Sequence, residues 1–408
     1  MRHPKLQTLL RPRAKRASCL SPPRWLSCHP RPLAPLFVHS WLYFLSEHSE
    51  SESESERQAD NRAAWMARDG SNDGAARGGL VCVTGGSGFI GSWLVRLLLH
   101  RGYTVHDTVK NLQDERETKH LQALDGADTR LRLFQMDLLD AASVQPAIDG
   151  ALGVFHLASP VILQPDRDPE TEVVEPAWKG ALNVLRAAKD CGVSRVVMVS
   201  SQTAMVPNPN WPADKVIDEH SWADVDLIKK HELWYNVSKT LAEKAAWDFA
   251  AKAGLDLVVL NPAWVLGPTL TPSVTLSLHV LLQILKGQSF DMDAFFIGSV
   301  DVRDVAESLI VLYENPSAQG RHLCLESSQR MVDFTNQLSD LYPELPVQRI
   351  QEDKQDWLVR AKGPSKKLID LGVRFTPFEK TIRDTMDCFK SKGLIKHVSI
   401  CCNPLCKV

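Results

Sequence analysis

The chain has 408 residues, 44% hydrophobic and 24% charged, with a formal charge of −2. This is ordinary globular composition, enough for one large or two modest domains, and it excludes collagen, wholesale disorder and a disulfide scaffold. A near-neutral total also gives no electrostatic case for a nucleic-acid or membrane-surface partner.

The total conceals two unlike pieces. Residues 1–46 carry eight Lys/Arg, seven Pro and no Asp or Glu, whereas from Met66 onward 37 basic residues face 43 acidic ones. Residues 1–78 keep neither a helical nor a strand period, and 49–56 are a Ser-Glu repeat. Such a stretch cannot bury enough apolar surface to offset chain entropy, so it is expected to be a disordered leader. Its apolar run, Leu33 to Leu45, is too short to span a bilayer. Two origins fit it: an organellar transit peptide, or an over-extended gene reading whose natural start is Met66, leaving a cytoplasmic protein. Nine cysteines show no Cys-x-x-Cys pair, and an odd count without a framework points to a reducing compartment. Cys401, Cys402 and Cys406 crowd a Cys-rich tail at 396–408 without the histidines or spacing of a zinc site, so no metal is expected.

In chain order, Leu80 to Thr84 reads as an apolar strand running into Gly85-Gly-Ser-Gly-Phe-Ile-Gly91. Ile90, Leu94, Leu97 and Leu98 then recur at helical spacing until Arg101-Gly102. Further strands are expected at Tyr103–Val109, Leu131–Met136, Gly153–Ala158, Arg195–Val199 and Leu255–Leu260, separated by helices over 141–150, 172–191 and 234–253. Strands apolar throughout and spaced by helices imply a parallel sheet covered on both faces, a doubly wound α/β fold.

Gly85, Gly88 and Gly91 stand three apart, after a strand and before a helix. That context lets backbone approach a pyrophosphate while helix N-terminal amides meet its charge. The end of the second strand selects the dinucleotide. An acid there would hold a ribose 2′-hydroxyl; this chain has Thr108-Val109-Lys110-Asn111, with Arg116 and Lys119 close behind. Lys110 is a cation where a 2′-phosphate would lie, which favours NADPH/NADP+ over NADH. Asp107, two residues before Val109, is expected to face away from the adenosine. Asp137-Leu138, past the third strand, suits a carboxylate on the adenine amino group.

Tyr235 and Lys239, four apart on a helix, share one face. A phenol titrates near 10, and a neighbouring ammonium favours its ionised form, so Tyr235 can pass a proton to a carbonyl oxygen. Lys239 also reaches nicotinamide ribose hydroxyls. Ser201 follows the fifth strand at the carboxyl end, where doubly wound sheets bind ligand, and can donate to the same oxygen.

Three stretches, Thr84 to Val95, Gly153 to Pro160 and Trp234 to Glu243, resemble the extended short-chain dehydrogenase/reductase superfamily. Within it they are most similar to the plant cinnamoyl-CoA reductase and dihydroflavonol reductase group, as are Asn261 to Pro268 and Val300 to Val305. The resemblance covers about Leu80 to Leu394. It implies Ser201, Tyr235 and Lys239 as the catalytic trio. It implies Gly85, Ser87, Gly88, Phe89, Ile90, Gly91, Lys110, Asp137, Leu138, Ala158, Pro262, Val265 and Ser277 around the cofactor. It further implies a Rossmann-type NADP-binding domain over 79–262 and a smaller C-terminal substrate-binding lobe over 263–395, with substrate in the cleft between.

Departures from the group bear on substrate. Cinnamoyl-CoA reductases commonly read Asn-Trp-Tyr-Cys-Tyr-Gly-Lys at the catalytic helix, where this chain has Leu233-Trp-Tyr-Asn-Val-Ser-Lys239. Val280 and Gln283 stand where those enzymes place His and Lys, with His279 adjacent, which weakens the case for a coenzyme A thioester. Val206 replaces an Asn common in dihydroflavonol reductases. Trp211, Trp222, Trp234 and Trp264 are candidates for an aromatic pocket or for core packing, and His156 is expected to be structural. The expected activity is NADPH-dependent reduction of an aromatic, phenylpropanoid-like small-molecule carbonyl by a monomer or weak homodimer. Two alternatives stay open: a nucleotide-sugar epimerase or dehydratase, which would want an acid where Val109 stands, and a non-catalytic NADPH-binding sensor, which would commonly lose Tyr235 or Lys239.

Overall fold

The computed structural model describes residues 78–160, 168–212, 215–288, 296–350 and 363–395; the leader and the tail with Cys401, Cys402 and Cys406 lie outside them. The strands are β1 (Leu80–Thr84), β2 (Thr104–Val109), β3 (Leu131–Gln135), β4 (Gly153–His156), β5 (Arg195–Val199), β6 (Leu257–Pro262), β7 (Trp264–Leu266), β8 (Phe296–Asp301), β9 (Gly320–Cys324) and β10 (Ser327–Arg330). Seven form one sheet in the order β3-β2-β1-β4-β5-β6-β9, with every neighbouring pair parallel. The other three form a small mixed sheet, β10-β8-β7.

The principal helices are α1 (Phe89–His100), α2 (Glu115–Gln122), α3 (Ala141–Ile148), α4 (Glu175–Asp190), α5 (Trp234–Ala253), α6 (Leu276–Leu285), α7 (Val302–Glu314), α8 (Met331–Leu341) and α9 (Phe378–Ser391). Parallel strands need crossovers, and α1, α4 and α5 supply them. Leu94, Val95, Leu98 and Leu99 of α1 are fully buried and face the sheet beside α7. Each such side chain contributes roughly 1.5–3 kcal/mol of burial. On the opposite face α4 packs along α5 through Ala181, Val184, Leu185, Ala242 and Ala246.

Three sequence expectations shift. The helix read over 172–191 begins as a wide π-turn, Glu170–Val174, and becomes α-helical at Glu175–Asp190, with Pro176 near its start, where a missing N–H costs nothing. The strand read at Leu255–Leu260 lies at Leu257–Pro262, because Gly254, at φ 60°, closes α5 and two further residues turn the chain. The smaller lobe read as all of 263–395 is interrupted: β9 returns to the large sheet beside β6, and α7 packs on α1. The polar and aliphatic residues of Gly320–Cys324 show no clear strand period, which is why this edge strand was not expected.

The chain leaves β1 toward β2 and β3, then crosses back to β4 on β1's other side. That reversal opens a crevice beyond the carboxyl ends of β1 and β4, where open α/β sheets take ligand. Asp107 on β2 braces the turn above it. It is fully buried, and its Oδ1 accepts from the amides of Gly86 (2.8 Å) and Thr108 (2.7 Å), while its Oδ2 meets no partner. As expected from its place in the strand, it does not line the crevice.

Burial pushes the Asp107 carboxyl up to about 8 against its two amide donors. A raised carboxyl stabilises the fold while protonated, so its contribution is complete below pH 4 and is lost as pH rises through about 8. Asp107→Asn is therefore expected to gain on wild type in urea-denaturation free energy between pH 5 and pH 8. A difference that stays level across that range would refute the assignment.

Candidate active site

The turn from β1 into α1 is built for close backbone approach. Gly85 sits at φ +78°, and a Cβ there would stand 3.0 Å from the Ala158 backbone just past β4. A Cβ on Gly91 would lie 2.3 Å from the Gly85 carbonyl oxygen. Helix α1 starts at Gly88 with no side-chain cap, so its first amides remain available to an anion.

These features open on a cleft of about 1660 Å³. Every cofactor and catalytic candidate implied by the resemblance lines it: the Gly85–Gly91 turn through Gly85, Ser87, Gly88, Phe89, Ile90 and Gly91, then Lys110, Asp137, Leu138, Ala158, Pro262, Val265, Ser277 and the trio Ser201, Tyr235 and Lys239. Thr203 and Thr275 also line it with Oγ1 atoms that meet no partner. Glycines that leave room for backbone contact, uncapped helix amides and unpaired hydroxyls together fit a dinucleotide with a pyrophosphate.

Not every candidate comes to the cleft. Among the four tryptophans only Trp264 lines it. Trp222 lies flat under Arg321, with the guanidinium 3.8 Å from the ring centre, and Trp234 packs beside a small apolar cluster. His156, the last residue of β4, is buried, with Nδ1 2.8 Å from Thr84 Oγ1 on the paired strand β1. Burial, reinforced by the nearby Lys239 charge, pushes that imidazole down to about 3, so it is a neutral structural group. Among the described residues no cluster of His, Cys, Asp or Glu could hold a metal, and no helix is long and apolar enough to cross a membrane.

Helix α5 presents Tyr235 and Lys239 one turn apart, with the Lys239 Nζ 5.8 Å from the tyrosine ring centre. The ammonium favouring ionisation of the phenol, expected from the spacing, is not the dominant effect. Burial raises the Tyr235 pKa above its ordinary value, and the hydrogen bond with Ser201 opposes that rise. Lys239 is buried and pushed down to about 8, with the Glu243 carboxylate resisting. At neutral pH the site therefore holds a protonated phenol beside a charged ammonium.

One further turn along α5 lies Glu243, fully buried, to which the sequence motifs give no role in the site. Its Oε2 accepts from Ser200 Oγ (2.5 Å) and Asn261 Nδ2 (2.8 Å), and its Oε1 accepts from Arg321 Nε (2.6 Å) and Trp247 Nε1 (3.3 Å). Asn261 also donates to the Ser201 carbonyl at 3.1 Å. The network thus joins α5 to the ends of β5 and β6 and to β9, and it fixes Ser201 relative to Tyr235. The signal available in the sequence was the i, i+4, i+8 spacing of Tyr235, Lys239 and Glu243 on one helix face.

A sheet, a crevice and a lobe of this kind define an α/β protein with a Rossmann-like core, and comparison with known proteins sets the family. The chain belongs to the NAD dependent epimerase/dehydratase family, whose profile matches residues 81–324. It is 43% identical over 317 residues to cinnamoyl-CoA reductase 1 of Arabidopsis thaliana, covering 78% of this chain and 90% of that one. Among solved structures it is similar to vestitone reductase from alfalfa, Medicago sativa, with 33% identity, a TM-score of 0.66 and coverage of 78% and 99% of the two chains. It is also similar to a yeast methylglyoxal/isovaleraldehyde reductase complexed with NADPH, with 25% identity, a TM-score of 0.66 and coverage of 78% and 100%.

Removing one partner of a buried ion pair leaves the other charge uncompensated, at a cost of about 3–5 kcal/mol. Glu243→Ala is expected to lose stability on that scale in urea denaturation, because Arg321 is only 7% exposed. An unchanged midpoint would show that Arg321 finds another partner.

Proposed function

We propose that the protein is an NADPH-dependent reductase of a phenylpropanoid-like carbonyl compound: an aldehyde, a ketone or a coenzyme A thioester. The observation that carries this reading is the convergence of Ser201, Tyr235 and Lys239 on the cleft that the glycine turn opens. The relatives, named as reductases and in one case complexed with NADPH, support it.

In this reading the Gly85–Gly91 turn and the first amides of α1 hold the pyrophosphate, Lys110 faces the adenosine ribose, and Asp137 lies by the adenine. Bound NADPH supplies a hydride to the carbonyl carbon. Ser201 Oγ donates to the carbonyl oxygen and stabilises the charge that develops there. Tyr235 transfers its phenolic proton to that oxygen, and the raised phenol pKa keeps the proton in place until it is needed. Lys239 holds ribose hydroxyls and stabilises the phenolate left behind. Val206, Pro207, Leu233, Trp264 and Val280 line the same cleft with apolar surface suited to a flat aromatic group. Val280 offers no polar group to a coenzyme A tail, which weakens the case for a thioester.

Tyr235→Phe removes the proton donor and leaves the turn intact. It is expected to lower turnover by about 10²–10⁴ while NADPH affinity, read by fluorescence titration, stays near wild type. Retained turnover against a panel of cinnamoyl-CoA, cinnamaldehyde, phenylacetaldehyde and dihydroflavonols would sink the mechanism. Lys239, held near 8, is charged below that pH and neutral above it. Reduction rate is thus expected to fall as pH rises through about 8, and a plateau extending to pH 10 would exclude Lys239 as the controlling group.

A further inference from the structure

The end of β2 carries a carboxylate that the cation-rich sequence there concealed. Glu117, on α2, reaches back so that its Oε2 accepts from the Lys110 amide at 2.7 Å and from the Asn111 amide at 3.2 Å. It lines the cleft, and it also borders an adjoining cavity of about 280 Å³ together with Ser87 and Arg116. The cations expected to receive a 2′-phosphate are differently disposed. Arg116 is paired with Asp114 at 2.7 Å, and Lys119 with Glu115 at 3.8 Å. Only Lys110 is left at the rim without an acidic partner among the described residues.

The end of the second strand is where the 2′ position of an adenosine ribose lies in this fold. Two adjacent backbone amides there are natural donors to a phosphate oxygen, and in this structure a carboxylate oxygen already accepts both. We propose that Glu117 is a cofactor-discriminating residue: it accepts a hydrogen bond from the ribose 2′-hydroxyl of NADH and opposes the 2′-phosphate of NADPH, so that this chain accepts both dinucleotides. The acid that NAD-binding folds carry on the strand itself is here delivered from the following helix. A 2′-phosphate must displace Glu117 from the two amides and then sit beside its charge. A 2′-hydroxyl can leave it in place and donate to Oε1, which makes no bond to either amide. Lys110 pulls in the opposite direction, and the two side chains set the ratio between them.

This inference rests on the dinucleotide reading above, and binding separates the two. Titration of the full chain with NADPH and with NADH, by quenching of tryptophan fluorescence, is to be run on wild type, Glu117→Gln and Glu117→Ala, with thermal melts confirming that each variant is folded. Wild type is expected to bind both dinucleotides with affinities within about tenfold of each other. Loss of the charge is expected to tighten NADPH by about tenfold and to weaken NADH by about threefold, a combined swing of about thirtyfold. 2′,5′-ADP and 5′-AMP used as competing fragments should swing in the same sense, which locates the effect at the 2′ group without any turnover. A ratio unchanged within about twofold in both variants, or a wild type that binds NADPH several hundredfold tighter than NADH, overturns the role of Glu117. Failure of wild type to bind either dinucleotide overturns instead the reading on which it rests.

Discussion

A fully buried carboxylate is expensive to desolvate, and this fold places one, Glu243, directly behind its candidate active site. Four side-chain donors from Ser200, Trp247, Asn261 and Arg321 surround it. Because those donors stand just past β5, on β6, on β9 and on α5 itself, the helix cannot slide or rotate against the sheet without leaving a buried charge unpaired. Lys239 and Tyr235 are on the same helix face one and two turns earlier, so their positions follow from that constraint. Arg321 is held in turn by Trp222 beneath it and by carbonyl oxygens of Glu219 and Ser221. The loop from Ser201 to α5 is thereby drawn onto β9, so a strand absent from the sequence expectation supports the whole arrangement.

The same geometry explains what was legible in the sequence. Apolar strands of the parallel core announce themselves because both faces are covered: β1 and β5 were placed to the residue, and α5 was read at 234–253 as it stands. The glycine turn was legible because Gly85 and Gly91 occupy positions where a Cβ would strike backbone. Beyond β6 the pattern fails for physical reasons. β7 has three residues, β10 is Ser-Ser-Gln-Arg on a small sheet, and β9 mixes Arg321 and His322 with apolar neighbours. Arg321 belongs in a buried strand only because Glu243, 78 residues away in sequence, neutralises it. No local period could announce that pairing.

Charge was the weakest guide at the rim of the cleft. Lys110, Arg116 and Lys119 read as a cationic patch when only their signs are counted. In the fold, Asp114 and Glu115 occupy two of them, and Glu117 turns its carboxylate onto the backbone of the third. Helical spacing brings Glu115 onto Lys119, four residues on, while Asp114 caps the helix and meets Arg116 there, its carboxylate accepting from the Arg116 amide as well as its guanidinium. A run of alternating charge therefore says little about the potential at a strand end until the helix that carries it is oriented.

Burial sets the chemical state of the site more than proximity of opposite charge does. Bringing an ammonium near a phenol favours ionisation in water, but both groups here are withdrawn from solvent, and withdrawal disfavours charge on each. The outcome is asymmetric because only Lys239 has a carboxylate one turn away: Glu243 resists its loss of charge, while Tyr235 has only the Ser201 hydroxyl. The phenol stays protonated and the amine stays charged near neutral pH, the pair of states that a proton donor in the reductive direction requires. A substrate carbonyl entering this cleft would displace water from the same groups, and hydride arrival would place negative charge on its oxygen beside Ser201 and Tyr235. In the proposed reaction, proton transfer from Tyr235 would relieve that charge and create a phenolate, which the Lys239 ammonium would then stabilise. On that reading, the desolvation that holds the proton before reaction would be offset only once the carbonyl has been reduced.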